Sequence, residues 1–444
     1  MRKLICILLA SLLALLAGFA LVGCADDGAA DTGGGNGTEQ DDTPGGGEET
    51  GITVFDNSQN PIAERLGITC WGCRYMPDLG AEENSLLRGA EYILEAGGKV
   101  IKLACGDLSA QYPLDDWSGV TFERSVDVFR HEVFRKLFAM DFRTFFISVP
   151  ERSAINFRDG VSKEEEAYVE EEFYQMTKYL LETYKGSGKT FILQNWETDN
   201  ALSYSMNGSE DDYLLLYSYA DYFNARQDGI NRARDEFVMS KEKNVYVFGA
   251  IEVNKLSDSY TRPKAVDYVV PNTYCDLYTY SSYEYKDRGV VSSAQDVCDQ
   301  LSEALRYYAS QLPAEENYPQ PVYFGDRRLA VTEFGYPDYA DGYKGEWQKM
   351  VAEGHLLAAE ELGLQYLVYW QLCDNEVIGD NASAINRLSP AELRGYAFAP
   401  GDLNGFWLLR PDGVKTYTYN YFRQAMLQDS ASAEAEKPSA WTAS

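Results

Sequence analysis

Short apolar runs rich in β-branched and aromatic residues alternate along the chain with longer amphipathic segments. The short runs predict buried β-strands at residues 67–71, 99–105, 142–149, 190–196, 245–253, 266–274, 328–334 and 365–371. Segments with a 3.6-residue hydrophobic period predict helices at residues 83–96, 125–138, 162–184, 211–237, 293–312 and 347–362. Strands that are apolar on both faces and alternate with helices are typical of a parallel sheet covered by helices.

The number of these units predicts the architecture. Eight of them predict an α/β fold with a single closed (β/α)8 barrel of the TIM type over residues 51–430. A doubly wound open sheet is the alternative, but such a sheet usually begins with a glycine-rich turn, which the segment starting at Gly67 lacks. Only about a dozen residues separate the fifth and sixth predicted strands, too few for a complete crossover helix, so we expect a short turn of helix or a loop there.

The first 50 residues predict export. Arg2 and Lys3 precede a long apolar run, and residues 1–23 have the pattern of a signal peptide. The run ends in Leu21-Val22-Gly23-Cys24, which resembles the lipobox of bacterial lipoproteins, in which the cysteine is lipidated. An uncleaved transmembrane anchor is the alternative. Residues 24–50, rich in glycine and acidic residues, predict a flexible tether, and residues 431–444 a disordered tail. We therefore expect a lipoprotein on the cell surface that contacts the membrane through the Cys24 lipid anchor only.

Charge and composition narrow the chemistry. The chain has 444 residues, with 39 Lys+Arg against 69 Asp+Glu and a formal charge of −30. Such a field repels phosphate backbones, so we expect no nucleic-acid partner. Two histidines, His131 and His355, leave little material for a Ser-His-Asp triad or a His-rich zinc site. Acid/base work is therefore assigned to carboxylates, and the 33 Tyr, 20 Phe and 7 Trp suit stacking on sugar rings.

Two carboxylates stand at the ends of predicted strands. Glu197 follows the apolar run of the fourth strand, and Glu333 lies in the seventh. The carboxyl ends of barrel strands converge around the axis, where catalytic side chains are found. A charge at such a position is costly unless it is used or paired. A salt-bridged rim residue remains the alternative for each.

This pair of positions resembles the large clan of (β/α)8 retaining glycoside hydrolases over residues 67–428. That clan carries the acid/base glutamate after strand four and the nucleophile glutamate at strand seven. The resemblance extends to Tyr274 in Pro271-Asn272-Thr273-Tyr274, to Trp370 on the eighth strand, and to the closing segment 405–413. It implies that Glu197 is the acid/base, that Glu333 is the nucleophile and that Tyr274 contacts the nucleophile.

The substrate-binding residues implied are Trp71, Arg74, Asn195, Trp196, Asn272, Tyr274 and Trp370. Arg74, after the first strand, is a candidate for keeping Glu333 ionised, with a rim ion pair as the alternative. The chain departs from the clan at Trp196, where an asparagine that binds the sugar 2-hydroxyl is usual. Asn195 stands one residue earlier, and adjacent strand residues face opposite sides.

Three further features carry alternatives. Glu252, at the end of the fifth strand, is a rival carboxylate, although Glu197 is favoured. Asp374, Asn375 and Glu376 are candidates for subsites or a calcium ion, against a solvated acidic loop. Cys70-Trp71-Gly72-Cys73 has redox spacing, but no helix start follows it, so a structural or unpaired role is favoured. Disulfide pairing among the six cysteines after Cys24 stays open.

The sequence therefore predicts a retaining glycoside hydrolase that acts on a β-linked oligo- or polysaccharide. We expect it to need no cofactor and no metal, and to be a monomer. The alternative is a barrel lipoprotein that binds glycans without cleaving them.

Overall fold

A computed structural model describes residues 55–150, 155–284 and 291–427. The predicted signal peptide, tether and tail, with Cys24, lie outside these residues, as do the ends of the predicted 51–430 barrel. No helix in the described part of the chain is both long and apolar enough to cross a bilayer.

Eight parallel strands close into a barrel in sequence order, so the predicted TIM-type fold is confirmed and an open doubly wound sheet is excluded. They are β1 (Leu66–Thr69), β2 (Val100–Ala104), β3 (Thr144–Ser148), β4 (Lys189–Gln194), β5 (Val245–Val253), β6 (Leu277–Ser282), β7 (Leu329–Phe334) and β8 (Leu367–Tyr369). Closure is made by β1 and β8, which pair in parallel from Leu66 opposite Leu367.

Helices cover the outside of the barrel and supply its loops. The described α-helices are α1 (Ser85–Glu95), α2 (Leu108–Gln111), α3 (Ser125–Arg130), α4 (Glu132–Ala139), α5 (Lys163–Thr183), α6 (Thr198–Ser203), α7 (Asp211–Phe237), α8 (Ala265–Tyr268), α9 (Ala294–Ser310), α10 (Glu346–Leu362), α11 (Ala382–Ile385), α12 (Pro390–Arg394) and α13 (Tyr417–Leu427). The helix predicted over 125–138 is divided in two, because His131 adopts extended backbone angles and its ring caps α4.

The sixth predicted strand, over 266–274, is wrong. Its first part forms α8, which is fixed by a hydrogen bond of 2.7 Å from the Ala265 amide to Asp199 on α6, and a 3-10 turn follows at Val270–Asn272. Pro271 lacks the amide hydrogen that a central strand needs, so this apolar run is better suited to a turn. The strand is Leu277–Ser282, and the connection from β5 to it contains a short turn of helix, as the sequence predicts.

Inward-facing residues of the strands form two layers inside the barrel. The lower layer is an apolar plug that includes Val100, Phe146, Ile192, Phe248, Ala250, Leu277, Ala330 and Val368. Because side chains repeat their direction every second residue, the next inward positions are two residues further along each strand. These positions are polar and buried, and they are Lys102, Ser148, Gln194, Glu252, Thr279 and Thr332. The buried polar layer therefore lies directly above the apolar layer, at the carboxyl end of the barrel.

An irregularity in β7 adds one more inward side chain. The pairing with β6 jumps from Val331 to Glu333, and the pairing with β8 places three steps of β7 opposite two steps of β8. Such a bulge bends the strand and re-aims a side chain. Consecutive residues Thr332 and Glu333 consequently both reach the buried polar layer, where each bonds a member of the Lys102–Glu252 pair.

Candidate active site

A cavity of about 700 Å³ opens above the polar layer at the carboxyl end of the barrel. It is lined by aromatic rings and by a few polar side chains: Trp71, Gln111, Ser148, Val149, Pro150, Asn195, Trp196, Glu197, Asn200, Ala201, Tyr219, Asn254, Lys255, Tyr283, Glu333, Trp370, Asn375, Glu376 and Phe406. Both predicted catalytic carboxylates are among them. This composition, with apolar walls and convergent polar groups, is typical of small-molecule sites.

A buried ammonium group lies beneath the cavity. Lys102 Nζ is 2.8 Å from Glu252 Oε1 and 2.8 Å from Glu333 Oε1, and it also donates to the Thr332 carbonyl at 3.1 Å. Burial lowers the pKa of Lys102, but the two carboxylates outweigh burial and hold that pKa above its usual value. The lysine is therefore charged, and its charge is shared between two acids.

Glu252 is a structural partner of this lysine, outside the cavity lining. Its carboxylate accepts hydrogen bonds from Lys102, from Thr332 Oγ1 at 2.6 Å and from Gln194 Nε2 at 3.3 Å. It also accepts the backbone N–H of Glu197 at 3.1 Å. Because Glu252 is fully buried and saturated with donors, it does not face the space where a substrate would bind.

Glu197 turns into the cavity at the end of β4. Its φ of 29° lies in the left-handed region, which non-glycine residues rarely adopt, and the bond to Glu252 holds this turn in place. Its Oε2 accepts hydrogen bonds from the Asn200 amide and, at 3.4 Å, from the Asn254 amide. The carboxyl is thereby aimed across the barrel toward β6 and β7.

Ser281 on β6 connects the two cavity carboxyls. Its Oγ lies 2.5 Å from Glu197 Oε1 and 3.3 Å from Glu333 Oε2, and the residue is fully buried. A hydroxyl has one proton to donate. The hydroxyl donates to Glu197 when that carboxyl is ionised, and it is free to donate to Glu333 when Glu197 is protonated and itself donates to Ser281.

Titration of this pair follows from burial. Burial raises the pKa of Glu197 to about 7, and the Ser281 hydrogen bond opposes that rise. Burial likewise raises the pKa of Glu333, and the charges of Glu252 and Glu197 add to the rise, while the Lys102 ammonium opposes it. The two carboxyls titrate as a coupled pair, which therefore retains a proton near neutral pH. Lys102 contacts Glu333 and not Glu197, so the direct ion pair favours the charge on Glu333 and the proton on Glu197.

Four of the predicted substrate-binding residues line the cavity: Trp71, Asn195, Trp196 and Trp370. The rings of Trp71 and Trp370 meet edge to face with centroids 5.3 Å apart. Trp196 is 42% exposed at the mouth. The Asn195 amide is occupied by the protein, since it bonds Thr198 Oγ1 at 2.9 Å and the Glu252 backbone N–H at 2.8 Å. Asn195 thus joins β4 to β5.

The structure does not bring the other three predicted residues into the cavity. The Tyr274 hydroxyl bonds Asp228 on α7 at 3.0 Å, and the Asn272 amide bonds the Tyr268 carbonyl at 2.9 Å, because their segment is not β6. Tyr283, the first residue after β6, takes the expected place, with its hydroxyl 3.5 Å from Glu333 Oε2. Arg74 bonds the Asn375 carbonyl at 3.4 Å, and the cation that contacts Glu333 is Lys102.

The acidic segment after β8 has divided roles. Asn375 and Glu376 line the cavity, whereas Asp374 is fully buried and accepts the backbone N–H groups of Gly405 and Glu376. Burial raises the pKa of Asp374 to about 8. Within the described ranges, no group of three or more His, Cys, Asp or Glu residues has an arrangement that could hold a metal ion.

Sequence reasoning missed Lys102, Ser281 and Tyr283. A signal for Lys102 exists, because it is a lone charge within the apolar run Val100-Ile101-Lys102-Leu103-Ala104. Such a buried charge requires a partner. Ser281 and Tyr283 could be recognised as site residues only if β6 was placed correctly in the sequence.

Comparison with known proteins extends this picture. No family model matches the chain, and no curated protein matches its sequence. Among solved structures, it is similar to a GH5_18 protein from Streptomyces cattleya in complex with Manb1-4GlcNAc, with a TM-score of 0.51, 11% identity, and coverage of 84% of this chain and 82% of that one. What the two share is the barrel fold. The neighbours found are glycoside hydrolases with TIM barrels.

Two further neighbours are a glucosidase from Croceicoccus marinus and a beta-D-glucuronidase from Dictyoglomus thermophilum. The glucosidase has a TM-score of 0.42 and 12% identity, with coverage of 84% of this chain and 69% of its own. The glucuronidase has a TM-score of 0.45 and 10% identity, with coverage of 85% and 54%, so this chain spans about half of its length.

Proposed function

We propose that the protein is a retaining glycoside hydrolase that acts on a β-linked glycan, with Glu197 as acid/base and Glu333 as nucleophile. The observation that carries this proposal is the pair of buried carboxyls at the ends of β4 and β7, joined through Ser281 and facing an aromatic cavity. The likeness to the S. cattleya protein, whose structure contains Manb1-4GlcNAc, is consistent with it.

The spacing of the two carboxyls favours retention over inversion. The two oxygens that Ser281 contacts, at 2.5 and 3.3 Å, are no more than about 6 Å apart, whereas retaining enzymes separate their carboxyls by about 5–5.5 Å and inverting enzymes by about 6.5–9.5 Å.

The roles follow from the surroundings of each carboxyl. Glu197 retains a proton and is positioned to protonate the leaving oxygen, after which the same group accepts a proton from water. Glu333, whose ionised form Lys102 favours from below, is positioned to attack the anomeric carbon and form a glycosyl ester. Trp71 and Trp370 offer apolar faces to the sugar rings.

A covalent trap tests the nucleophile. Incubation with a panel of activated 2-deoxy-2-fluoro glycosides should add one glycosyl group, located by peptide mass spectrometry on Glu333, because the fluorine slows hydrolysis of the intermediate. Glu333→Gln should not be labelled. Glu376→Gln, which removes another carboxylate from the same cavity, should be labelled like the wild type.

Two outcomes of the trap would overturn the assignment. Label on a different residue would displace Glu333, and hydrolysis with inverted configuration and no label would replace retention by inversion. Glycan binding without hydrolysis of any substrate would favour the second candidate, a non-catalytic glycan-binding barrel. That candidate is motivated by the exposed Trp196 and by the Asn195 amide, which the protein itself occupies.

We also propose that the protein is anchored to the cell surface through a lipid on Cys24, on the evidence of the leader sequence. In a bacterial host, the full chain should incorporate an alkyne-labelled fatty acid and partition into detergent. Cys24→Ser should lose the label, whereas Cys6→Ser, a cysteine within the leader, should keep it. Equal labelling of the two variants would contradict the proposal.

A further inference from the structure

Three cysteine thiols meet where β1 and β8 end. Cys70 directly follows β1, Cys73 lies in the loop after it, and Cys373 lies just beyond β8. The Cys73 thiol donates to the Trp71 carbonyl at 3.8 Å and lies beside the thiols of Cys70 and Cys373, both of which act on its pKa. All six cysteines of the described ranges are free and buried. The C-x-x-C motif is therefore completed by a third sulfur from the loop after β8, the strand that pairs with β1.

Cys73 occupies the centre of this cluster. It is 6% exposed, against 2% for Cys70 and 0% for Cys373, so all three residues are buried and Cys73 is the least completely buried of them. Hydrogen bonds from the Cys373 thiol and then from the Cys70 thiol hold the pKa of Cys73 well below its usual value, although burial opposes them. Burial and the neighbouring Cys73 raise the pKa of Cys373. Cys73 is thus the group suited to attack, because the thiolate is the nucleophile in thiol chemistry.

The contacts also distinguish the two possible partners of Cys73. Backbone bonds tie both neighbours of Cys373 to the loop of Cys73, from Leu372 to Thr69 at 3.0 Å and from Arg74 to Asp374 at 3.0 Å. Its thiol and its backbone N–H both act on the Cys73 sulfur, whereas Cys70 acts through its thiol. Cys373 is therefore held against Cys73 by two groups.

We propose that this cluster is a thiol–disulfide exchange site, at which Cys73 and Cys373 are joined by reaction with low-molecular-weight disulfides. Cys70 becomes the partner of Cys73 only when the Cys373 thiol is removed.

The reaction balances with a disulfide RSSR as the oxidant. The Cys73 thiolate attacks one sulfur of RSSR, forms a mixed disulfide and releases RS⁻. The Cys373 sulfur then attacks Cys73 Sγ, forms the intramolecular disulfide and releases the second RS⁻. The protons of the two cysteine thiols pass to the two RS⁻ groups, so the protein is oxidised by two electrons and RSSR is reduced to two RSH.

The cross-link would join two loops that build one wall of the cavity. Trp71 lies between Cys70 and Cys73, while Trp370 and Asn375 flank Cys373, and all three line the cavity. Backbone bonds already hold these loops together, from Leu372 to Thr69 at 3.0 Å and from Arg74 to Asp374 at 3.0 Å. Under oxidising conditions, a disulfide would add a covalent bond to these noncovalent contacts between the two loops. The proposal does not depend on glycosidase activity.

Thiol counting and peptide mapping test the proposal. The reduced protein is incubated with oxidised glutathione, alkylated after denaturation and digested. We expect the loss of two alkylatable thiols, a peptide that links Cys73 to Cys373, and full reversal by a thiol reductant. The midpoint of urea unfolding should be higher for the oxidised form, since a cross-link restricts the unfolded chain.

Variants separate the three sulfurs. Cys373→Ser should move the link to Cys70 and Cys73, and Cys73→Ser should abolish it. Cys298→Ser, which removes a buried cysteine on α9, should react like the wild type. Peptide mapping of the oxidised wild-type protein tests the proposal even if one of the variants does not fold. An unchanged thiol count, a stable glutathione adduct on Cys73, or a Cys70–Cys73 link in the wild type would each overturn the proposal.

Discussion

Replacing Glu197 by alanine should lower kcat/KM for glycosides with a poor alcohol leaving group by about 10²–10⁴-fold, the usual contribution of a general acid. Activated aryl glycosides should lose much less in their first step, because their leaving groups depart without protonation. Accumulation of the glycosyl-enzyme on Glu333 is then expected, since the same residue serves as the base for water. Steady-state kinetics with a matched pair of aryl and alkyl glycosides measures the difference.

The pH dependence gives this prediction a direction. Burial raises the pKa of Glu197 to about 7, so the acid form persists to neutral pH and is lost as the pH rises further. The kcat/KM of the wild type should therefore fall on an alkaline limb as the pH rises above neutral. The Glu197→Ala variant, assayed with activated substrates, should not show this limb. Glu376→Ala, which leaves the Ser281-bridged pair intact, is the control and should retain the limb. An unchanged limb in the Glu197 variant would assign the proton to another group.

Replacing Lys102 by methionine should lower the free energy of unfolding by about 3–5 kcal/mol, the usual cost of leaving a buried charge without its partner. The variant leaves Glu252 and Glu333 facing each other in the polar layer with no ammonium between them. Activity should also fall, because Glu333 then binds its proton more tightly and loses the charge that the proposed attack requires. Urea unfolding followed by circular dichroism measures the stability.

The loss of stability should depend on pH with a defined sign. Without Lys102, the folded state binds protons on these carboxyls more tightly than the unfolded state, so stability falls as the pH rises above the ordinary glutamate range. The variant should be closest to the wild type in acid. Lys99→Met is the matched control, because Lys99 pairs at 2.6 Å with Asp141, whose side chain is 84% exposed, and such surface pairs contribute about 0–1 kcal/mol. Equal losses for the two lysine variants would show that the buried pairing contributes little.

The barrel and its carboxylate pair could both be predicted from the sequence, and for the same physical reason. Buried parallel strands have a simple apolar signature, and closing them brings their carboxyl ends together, so Glu197 and Glu333 were predicted to lie at the same end of the barrel. The structure places both in one cavity. Their catalytic roles remain predictions.

The remaining features depended on information that local patterns lack. The β-branched run near Val266 looks like a strand, but Asp199 and Pro271 favour a helical turn, and the misplaced strand carried Tyr274 and Asn272 with it. The role of Lys102 required knowing which face of β2 points inward. Cys373 lies far from Cys73 in sequence, and barrel closure between β1 and β8 places it beside the C-x-x-C loop.

The bulge in β7 makes the candidate nucleophile sensitive to the number of residues in its strand as well as to their identity. Regular pairing would send Thr332 and Glu333 to opposite sides of the sheet, so a single deletion nearby would exchange one for the other. We therefore expect natural variants to differ by substitutions in this segment and to keep its number of residues. The loops above the cavity are under no such restriction, so we expect their lengths to vary more freely.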